Sequence, residues 1–139
     1  MSKVVEIVRD ALGHLRVVDG NSATDPIDLR DGIRSLNLMM RAWEAENLPV
    51  GWYDVSDGDE DMPTELAFDE AIGANLALKL RARYGATLDA DVVQMATDGK
   101  ALVSAMIASS EFNRIAYPDL PDSTGSYRGG GLQDGLSGR

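Results

Sequence analysis

The chain of 139 residues contains no cysteine and a single histidine, His14. Without cysteine it can form no disulfide bond and has no thiol nucleophile. A zinc site at His14 would need carboxylates alone as its other ligands, which is an unusual set for that metal. We therefore interpret His14 as a solvated residue at a helix end, and we predict no metal site and no cofactor.

Long apolar runs are absent as well. No apolar stretch approaches about 18 residues, the length at which a segment becomes a candidate membrane span, so we expect no membrane partner. The sequence also lacks a glycine-rich phosphate loop, because its one glycine triplet, 129–131, has no strand before it and no helix after it. We interpret the triplet as a flexible spacer.

Positive charge is scarce. The chain has 13 lysines and arginines against 23 acids, so its net charge is −10. The last 27 residues contribute nothing to this charge because three arginines balance three aspartates, and residues 1–112 carry all of it. Such a surface repels nucleic acid, which argues against a DNA reader or clamp. It is compatible with a surface past which DNA slides without sticking.

Apolar residues recur at helical spacing in four segments, which predicts an all-α fold. The first helix is expected over about residues 3–15. For the second, Thr24 or Asp25 is the expected cap and Pro26 the first helical residue, a strong start signal. This helix should end near Asn47, since a proline follows two residues later.

The third and fourth helices carry their own boundary signals. Pro63 and Thr64 predict the start of the third helix, and Gly85 is its natural stop. Asp89 and Asp91 predict the start of the fourth. The apolar side expected for the fourth helix is widened by Val103 and Ile107 and consists otherwise of Val92, Met95, Gly99, Leu102 and Met106. We predict that the four helices form a bundle-like body.

A short aromatic segment, residues 50–56, separates the second and third helices and predicts a brief strand or an extended crossing. Trp52 and Tyr53 are candidate partner-binding residues, because aromatic side chains anchor protein contacts. The 17 residues that start at Asp54 contain eight acids and no base. They do not follow the EF-hand calcium pattern, since the sixth residue from Asp54 is Asp59 and not glycine.

The last 27 residues, 113–139, predict an extended C-terminal arm after a helical body of residues 1–112. Ordering the arm's backbone costs roughly 30–50 kcal/mol, whereas its six apolar side chains return about 9–18 kcal/mol on full burial. The arm should therefore gain order only on a partner, or else be a plain frayed chain end. Its expected anchors are Ile115, Tyr117, Leu120 and Tyr127.

The order of these features resembles the head-to-tail adaptor proteins of short-tailed bacteriophages, also called tail accessory or packaged-DNA stabilisation proteins. The similarity covers roughly residues 4–120 and departs where the first helix ends, since Leu15 is followed by arginine rather than by the glycine frequent in that family. The segments that carry the resemblance are IVRDALGHL (7–15), DLRDGIRSLNLMMRAWEAENL (28–48), the crossing with Trp52 and Tyr53, ELAF (65–68), RYGATLDADV (83–92) and Tyr117-Pro118.

This resemblance implies a non-catalytic structural protein of the virion, located at the head-tail junction and made in the host cytoplasm. It implies a ring of identical subunits, a dodecamer, attached under the portal protein, with a tail nozzle or tail fibre protein docking below. The C-terminal arm would reach up along the portal, and double-stranded DNA would pass through the ring without specific binding. The ring would help to retain the packaged DNA.

Two other functions stay open from the sequence. A virion-associated peptidoglycan hydrolase would need two carboxylates about 5–10 Å apart, one of them with a raised pKa. Glu65 with Asp69 or Glu70 is such a pair, although the sequence indicates no apolar pocket around either glutamate. A free acidic adaptor or DNA mimic in the host cell is the third hypothesis.

Overall fold

The computed structural model describes residues 1–16 and 24–116, with the backbone alone described for 111–116. Within these ranges the chain forms four α-helices and no strand, which confirms the all-α prediction. Residues Met1–Ala105 form one compact unit, and the packing described below lies within it. The helices are α1 (Val4–His14), α2 (Pro26–Ala45), α3 (Asp69–Tyr84) and α4 (Ala90–Ala116), and a 3₁₀ turn at Leu66–Phe68 precedes α3.

The start of α2 follows the predicted signals. Asp25 is the N-cap, and its carboxylate accepts a hydrogen bond from the Ile27 amide at 2.8 Å. Pro26 occupies the first helical position, where the missing amide donor is not needed. The helix ends at Ala45, slightly before the predicted end near Asn47, where a φ of 68° takes the backbone into the left-handed region.

The predicted start of the third helix at Pro63 or Thr64 is wrong. The chain first forms the 3₁₀ turn at Leu66–Phe68, and α3 begins only at Asp69. Thr64 and Phe68 are both buried. Packing of these two side chains against the core sets the path of the segment, and it overrides the local start signal that the proline provides.

The connection between α3 and α4 agrees with the prediction. Gly85 ends α3 with a φ of 61°, and the Ala86 amide donates to the Arg81 carbonyl at 3.0 Å. This is the geometry of a glycine C-cap. At the start of α4 the Val92 amide donates to the Asp89 carbonyl at 3.0 Å, which places Asp89 at the beginning of that helix.

The core lies between α1, α2 and α3, each of which packs against the other two. Full burial of one such apolar side chain contributes about 1.5–3 kcal/mol, so this layer is the main source of stability for the compact unit. The largest fully buried side chains are Ile7, Leu12, Leu36, Met40, Met62, Ile72, Leu76, Leu80, Val4, Val8 and Val103.

Polar contacts fix the register between α2 and α3. The Tyr84 hydroxyl donates to Asp28 Oδ1 at 2.8 Å, and Arg83 pairs with Asp31 at 2.7 Å. Burial, followed by the hydrogen bond to Asp28, raises the pKa of Tyr84 to about 12. The C-terminal end of α3 therefore lies beside the N-terminal end of α2.

α4 packs closely on α3. The Asn75 amide nitrogen donates to the Ala96 carbonyl at 2.9 Å, and a Cβ added at Gly99 would lie 2.7 Å from Ala71 Cβ. Leu102, which the sequence pattern placed on the apolar side, is 53% exposed, so that part of the prediction is wrong. Val103, which the sequence placed beside that apolar side, is fully buried, and Gly99 itself lies against α3, so the rest of the pattern agrees with the structure.

Candidate partner interfaces

Residues 50–56 form no strand and lie against α2, where Asn37 holds them. Asn37 Oδ1 accepts hydrogen bonds from the Val55 amide at 3.0 Å and from Trp52 Nε1 at 3.2 Å. Its Nδ2 donates to the Val55 carbonyl at 2.8 Å. One side chain of α2 thus satisfies both backbone groups of Val55 and the indole of Trp52.

Two charged residues of α2 fix the ends of the same segment. Glu44 accepts a hydrogen bond from the Val50 amide at 2.7 Å. Arg41 donates through two guanidinium nitrogens to Asp54, with Nε 3.0 Å from Oδ1. The hydrogen bond from Arg41 lowers the pKa of Asp54. The backbone of this crossing is therefore held at both ends and in the middle.

The two predicted aromatic site residues differ in exposure. Trp52 is half-buried and hydrogen bonded to Asn37, so part of its role is to hold the crossing in place. Tyr53 is 63% exposed. Of the pair, Tyr53 is therefore the side chain that a partner could cover, and the interface role of both stays a prediction.

The predicted arm anchors lie beyond what the structure describes. Tyr117, Leu120 and Tyr127 are outside the described residues. Ile115 falls within α4, which runs to Ala116, but its side chain is also outside them. The α4 helix thus includes the first four residues of the segment that the sequence assigned to the arm.

The acidic loop after the crossing binds the N-terminus of α1. The Val4 and Val5 amides donate to the Glu60 and Gly58 carbonyls, each at 2.9 Å, and Lys3 pairs with a loop aspartate at 2.8 Å. The first amides of a helix lack partners within the helix, and here the loop supplies them. Hydrogen bonds from the backbone amides of Ser56 and Asp57 lower the pKa of the Glu60 carboxylate. Part of this acidic run is therefore structural.

Among residues 1–16 and 24–116, no three histidine or carboxylate side chains are grouped so that they could hold a metal ion. Within the same part of the chain, no helix combines the length and the apolar composition that crossing a bilayer requires.

The carboxylates that the sequence offered for hydrolysis lie near the start of α3. Glu65 and Glu70 are exposed to solvent, so they do not have the apolar surroundings of a general acid. Asp69 accepts a hydrogen bond from the Ser2 hydroxyl. On the neighbouring α1, burial raises the pKa of Asp10. Among the described residues, no hydrogen bond joins two of these carboxyl groups as an acid and base pair.

The solvent side of α2 is both basic and apolar. We call it the α2 outer stripe; Ile27 and Leu38 in it are 60% and 44% exposed. Arg41 is neutralised by Asp54, whereas Arg34 forms no ion pair with a residue that the structure describes. Positions 27, 34, 38, 41 and 45 share one side of a helix by their spacing. The stripe comprises Ile27, Arg34, Leu38, Arg41 and Ala45, all of them exposed.

A second exposed patch precedes and opens α3. Leu66 is 63% exposed, whereas Thr64 and Phe68, two residues before and after it, are buried. Glu65 and Glu70 flank it, and neither is hydrogen bonded to another described residue. We call this the α3 approach patch; it comprises Glu65, Leu66, Ala67 and Glu70, all exposed.

An open depression of about 430 Å³ lies where the end of α2 meets α3 and α4. Lys100 Nζ lies at its side, 2.8 Å from Glu46 Oε1 and 5.5 Å from the centre of the Trp43 ring. Asn75 also lines it and uses its amide nitrogen to bond the helix backbone. Each of these polar groups already has a partner, so the depression is a packing feature between helices.

Comparison with protein-family models and with curated proteins finds no match for the chain.

Proposed function

We propose that the chain is a non-catalytic structural protein of a bacteriophage virion. It forms a ring, a dodecamer, that connects the portal to the tail nozzle or tail fibre protein and helps to retain packaged DNA. Residues 1–112 act as a helical bundle body, and residues 113–139, of which the first four continue α4, act as an arm that docks on the portal. The sequence resemblance supplies the identity of these partners, and the exposed surfaces of the helices support an assembly role.

The observation that carries the proposal is the exposed Tyr53 on a fixed backbone. Tyr53 is 63% exposed while Asn37, Glu44 and Arg41 hold the segment around it. An aromatic side chain on an ordered segment loses little conformational entropy on binding, so it is well suited to anchor a protein partner. We assign Trp52 to the rim of the same contact.

The charge distribution supports a role for the ring as a conduit for DNA. Residues 1–112 carry a net charge of −10, which disfavours tight contacts with DNA phosphates. DNA that must leave the capsid through the ring is then not retarded by its wall. The acidic charge also keeps separate subunits soluble before they assemble.

The arm supplies the contact with the portal. Ile115, Tyr117, Leu120 and Tyr127 are its proposed anchors, and each contact need only be weak. Because identical arms around a ring bind together, the modest affinity of one arm is multiplied into a large avidity.

The test is the mass, by light scattering, of the chain alone and mixed with the portal protein of its virus. The full chain should form a ring-sized complex with the portal. A chain ending at Ala116 and carrying Ile115→Ala should lose at least about 100-fold in portal affinity, since the avidity of the arms is removed. Tyr53→Ser should leave portal binding intact and weaken the contact with the tail protein about tenfold or more.

Val93→Ser is the matched control, because Val93 is an exposed apolar residue on α4 outside these contacts. It should bind both partners like the full chain. Unchanged portal affinity of the truncated chain would exclude a docking role for the arm. Lysis of peptidoglycan by the purified chain, abolished by Glu65→Gln or Glu70→Gln without loss of assembly, would instead establish the hydrolase.

A further inference from the structure

A ring of identical subunits that join head to tail needs two different surfaces on each copy. We propose that the α2 outer stripe of one copy binds the α3 approach patch of the neighbouring copy. This inference rests on the ring of the proposed function, and it names the surfaces that close the ring.

The α2 outer stripe offers one free positive charge between apolar side chains. Arg34 forms no ion pair with any residue of the described ranges, and Leu38 follows it one helical turn later. Arg41 lies on the same side but is occupied by Asp54, so it adds little net charge to the stripe. A partner that fits must therefore present an acid beside an apolar side chain.

The α3 approach patch has that composition. Leu66 stands in solvent between Glu65 and Glu70, and the chain has no lysine or arginine between Arg41 and Lys79. The charged side chains of residues 42–78 are therefore all acidic, which gives the patch a negative field. Leu66 matches the apolar side chains of the stripe, and a flanking glutamate matches Arg34.

Charge and polarity together favour a second copy over DNA as the occupant of the stripe. DNA phosphates would attract Arg34, but they offer no apolar surface to Leu38 and Ile27. They would also meet the net charge of −10 that residues 1–112 carry. The approach patch of another copy offers a glutamate to the arginine and an apolar side chain to Leu38, and it brings complementary potentials into contact.

The absence of cysteine allows a direct test by disulfide trapping. Leu38→Cys and Leu66→Cys are made in separate chains of different tag length, mixed, assembled on the portal and oxidised. The mixture should give a cross-linked heterodimer, and neither variant alone should cross-link. Val93→Cys mixed with Leu66→Cys is the control and should stay uncross-linked.

The outcomes separate the two proposals. If the unmodified chain forms no ring with the portal, the proposed function fails. If the ring forms but Leu38→Cys and Leu66→Cys do not link, or if either links only to itself, the ring stands and this inference is overturned.

Charge exchange provides the second test. Arg34→Glu and Glu70→Arg should each raise the concentration needed for half-assembly by about tenfold or more, since like charges then face each other. The double variant should restore assembly, as should a mixture of the two single variants. Lys79→Glu is the matched control, because Lys79 is an exposed base outside the stripe that pairs with no described residue.

Failure of the double variant to recover would overturn the pairing of Arg34 with Glu70. Binding of DNA to the α2 outer stripe is tested with a duplex oligonucleotide at low salt. Binding of that duplex by the unmodified chain, lost in Arg34→Glu and kept in Glu70→Arg, would assign the stripe to DNA instead.

Discussion

Asn37 shows how a single side chain positions a segment that has no regular structure. It lies in α2 beside the fully buried Leu36 and directs its amide at the backbone of Val55. An asparagine can make up to four hydrogen bonds, and here three of them go to the crossing. Neither strand pairing nor helix formation is needed to fix the position of Tyr53.

Replacement of Asn37 should therefore destabilise the fold more than an average surface change does. Asn37→Ala leaves the buried Val55 amide and carbonyl and the Trp52 indole without partners. We expect a loss of about 2–4 kcal/mol in the free energy of unfolding, since each unsatisfied buried group costs about 1–3 kcal/mol and water recovers part of it. Urea denaturation followed by tryptophan fluorescence measures this loss.

Ser35→Ala is the control for Asn37→Ala. Ser35 is half-buried on α2 and its hydroxyl makes no hydrogen bond with a described residue. This variant should stay within about 0.5 kcal/mol of the unmodified chain. Equal stability of the two variants would show that the crossing is held by packing of Val55 and not by Asn37.

At the scale of elements, α4 lacks a clear division into an apolar and a polar face. Ala96 and Val103 are buried against the rest of the unit, while Val93 and Leu102 are exposed on other sides. A helix with apolar residues all round is usually covered on more than one side. The side toward α3 is chosen by Gly99, the position where the two backbones come closest.

Gly99→Ala should weaken the packing of α4 on α3. The added Cβ would lie 2.7 Å from Ala71 Cβ and 2.8 Å from Ala71 Cα, and the second atom belongs to the backbone and cannot rotate away. We expect a net loss of about 1–2 kcal/mol in the free energy of unfolding, because overpacking outweighs the gain in helix propensity. Chemical denaturation followed by circular dichroism reports it.

Gly73→Ala is the matched control within α3. Its added Cβ would lie 3.8 Å from Asp10 Cβ, an ordinary contact. Here the gain in helix propensity should remain, and the variant should be more stable by up to about 1 kcal/mol. Equal effects at the two glycines would contradict the close approach of α4 to α3.

At the scale of the whole molecule, net charge opposes compactness. A net charge of −10 on 139 residues places many acids near one another, and only part of the exposed acids have basic partners. Self-repulsion of this kind destabilises the folded state and is screened by salt. In the proposed ring the same negative charge has a second effect, because repulsion keeps single subunits apart until the complementary patches meet.

Added salt should therefore stabilise the isolated chain. We expect the free energy of unfolding to rise on the order of 1 kcal/mol between low and about 0.5 M NaCl, where the screening length falls below about 5 Å. The control carries Asp57→Asn, Asp59→Asn, Glu65→Gln and Glu70→Gln, which changes the net charge of −10 by four to −6. Its stability should depend less steeply on salt. A steeper or equal dependence would contradict self-repulsion as the cause.

The helical class and most of the helix ends follow from local sequence alone. Spacing of apolar residues at three and four positions reports which side of a helix is buried, and Pro26 and Gly85 restrict the backbone whatever surrounds them. The acidic character of residues 1–112 is likewise a property of composition. These are local or additive quantities, so they can be read without knowing which elements meet.

The start of α3, the exposed position of Leu102 on α4 and the surfaces left to solvent depend instead on tertiary contacts. Burial of Thr64 and Phe68 delays α3, and the contact of Gly99 with Ala71 turns Leu102 outward. Each of these features depends on which residues distant in sequence come into contact. The pattern of residues within one helix does not specify which helix it packs against.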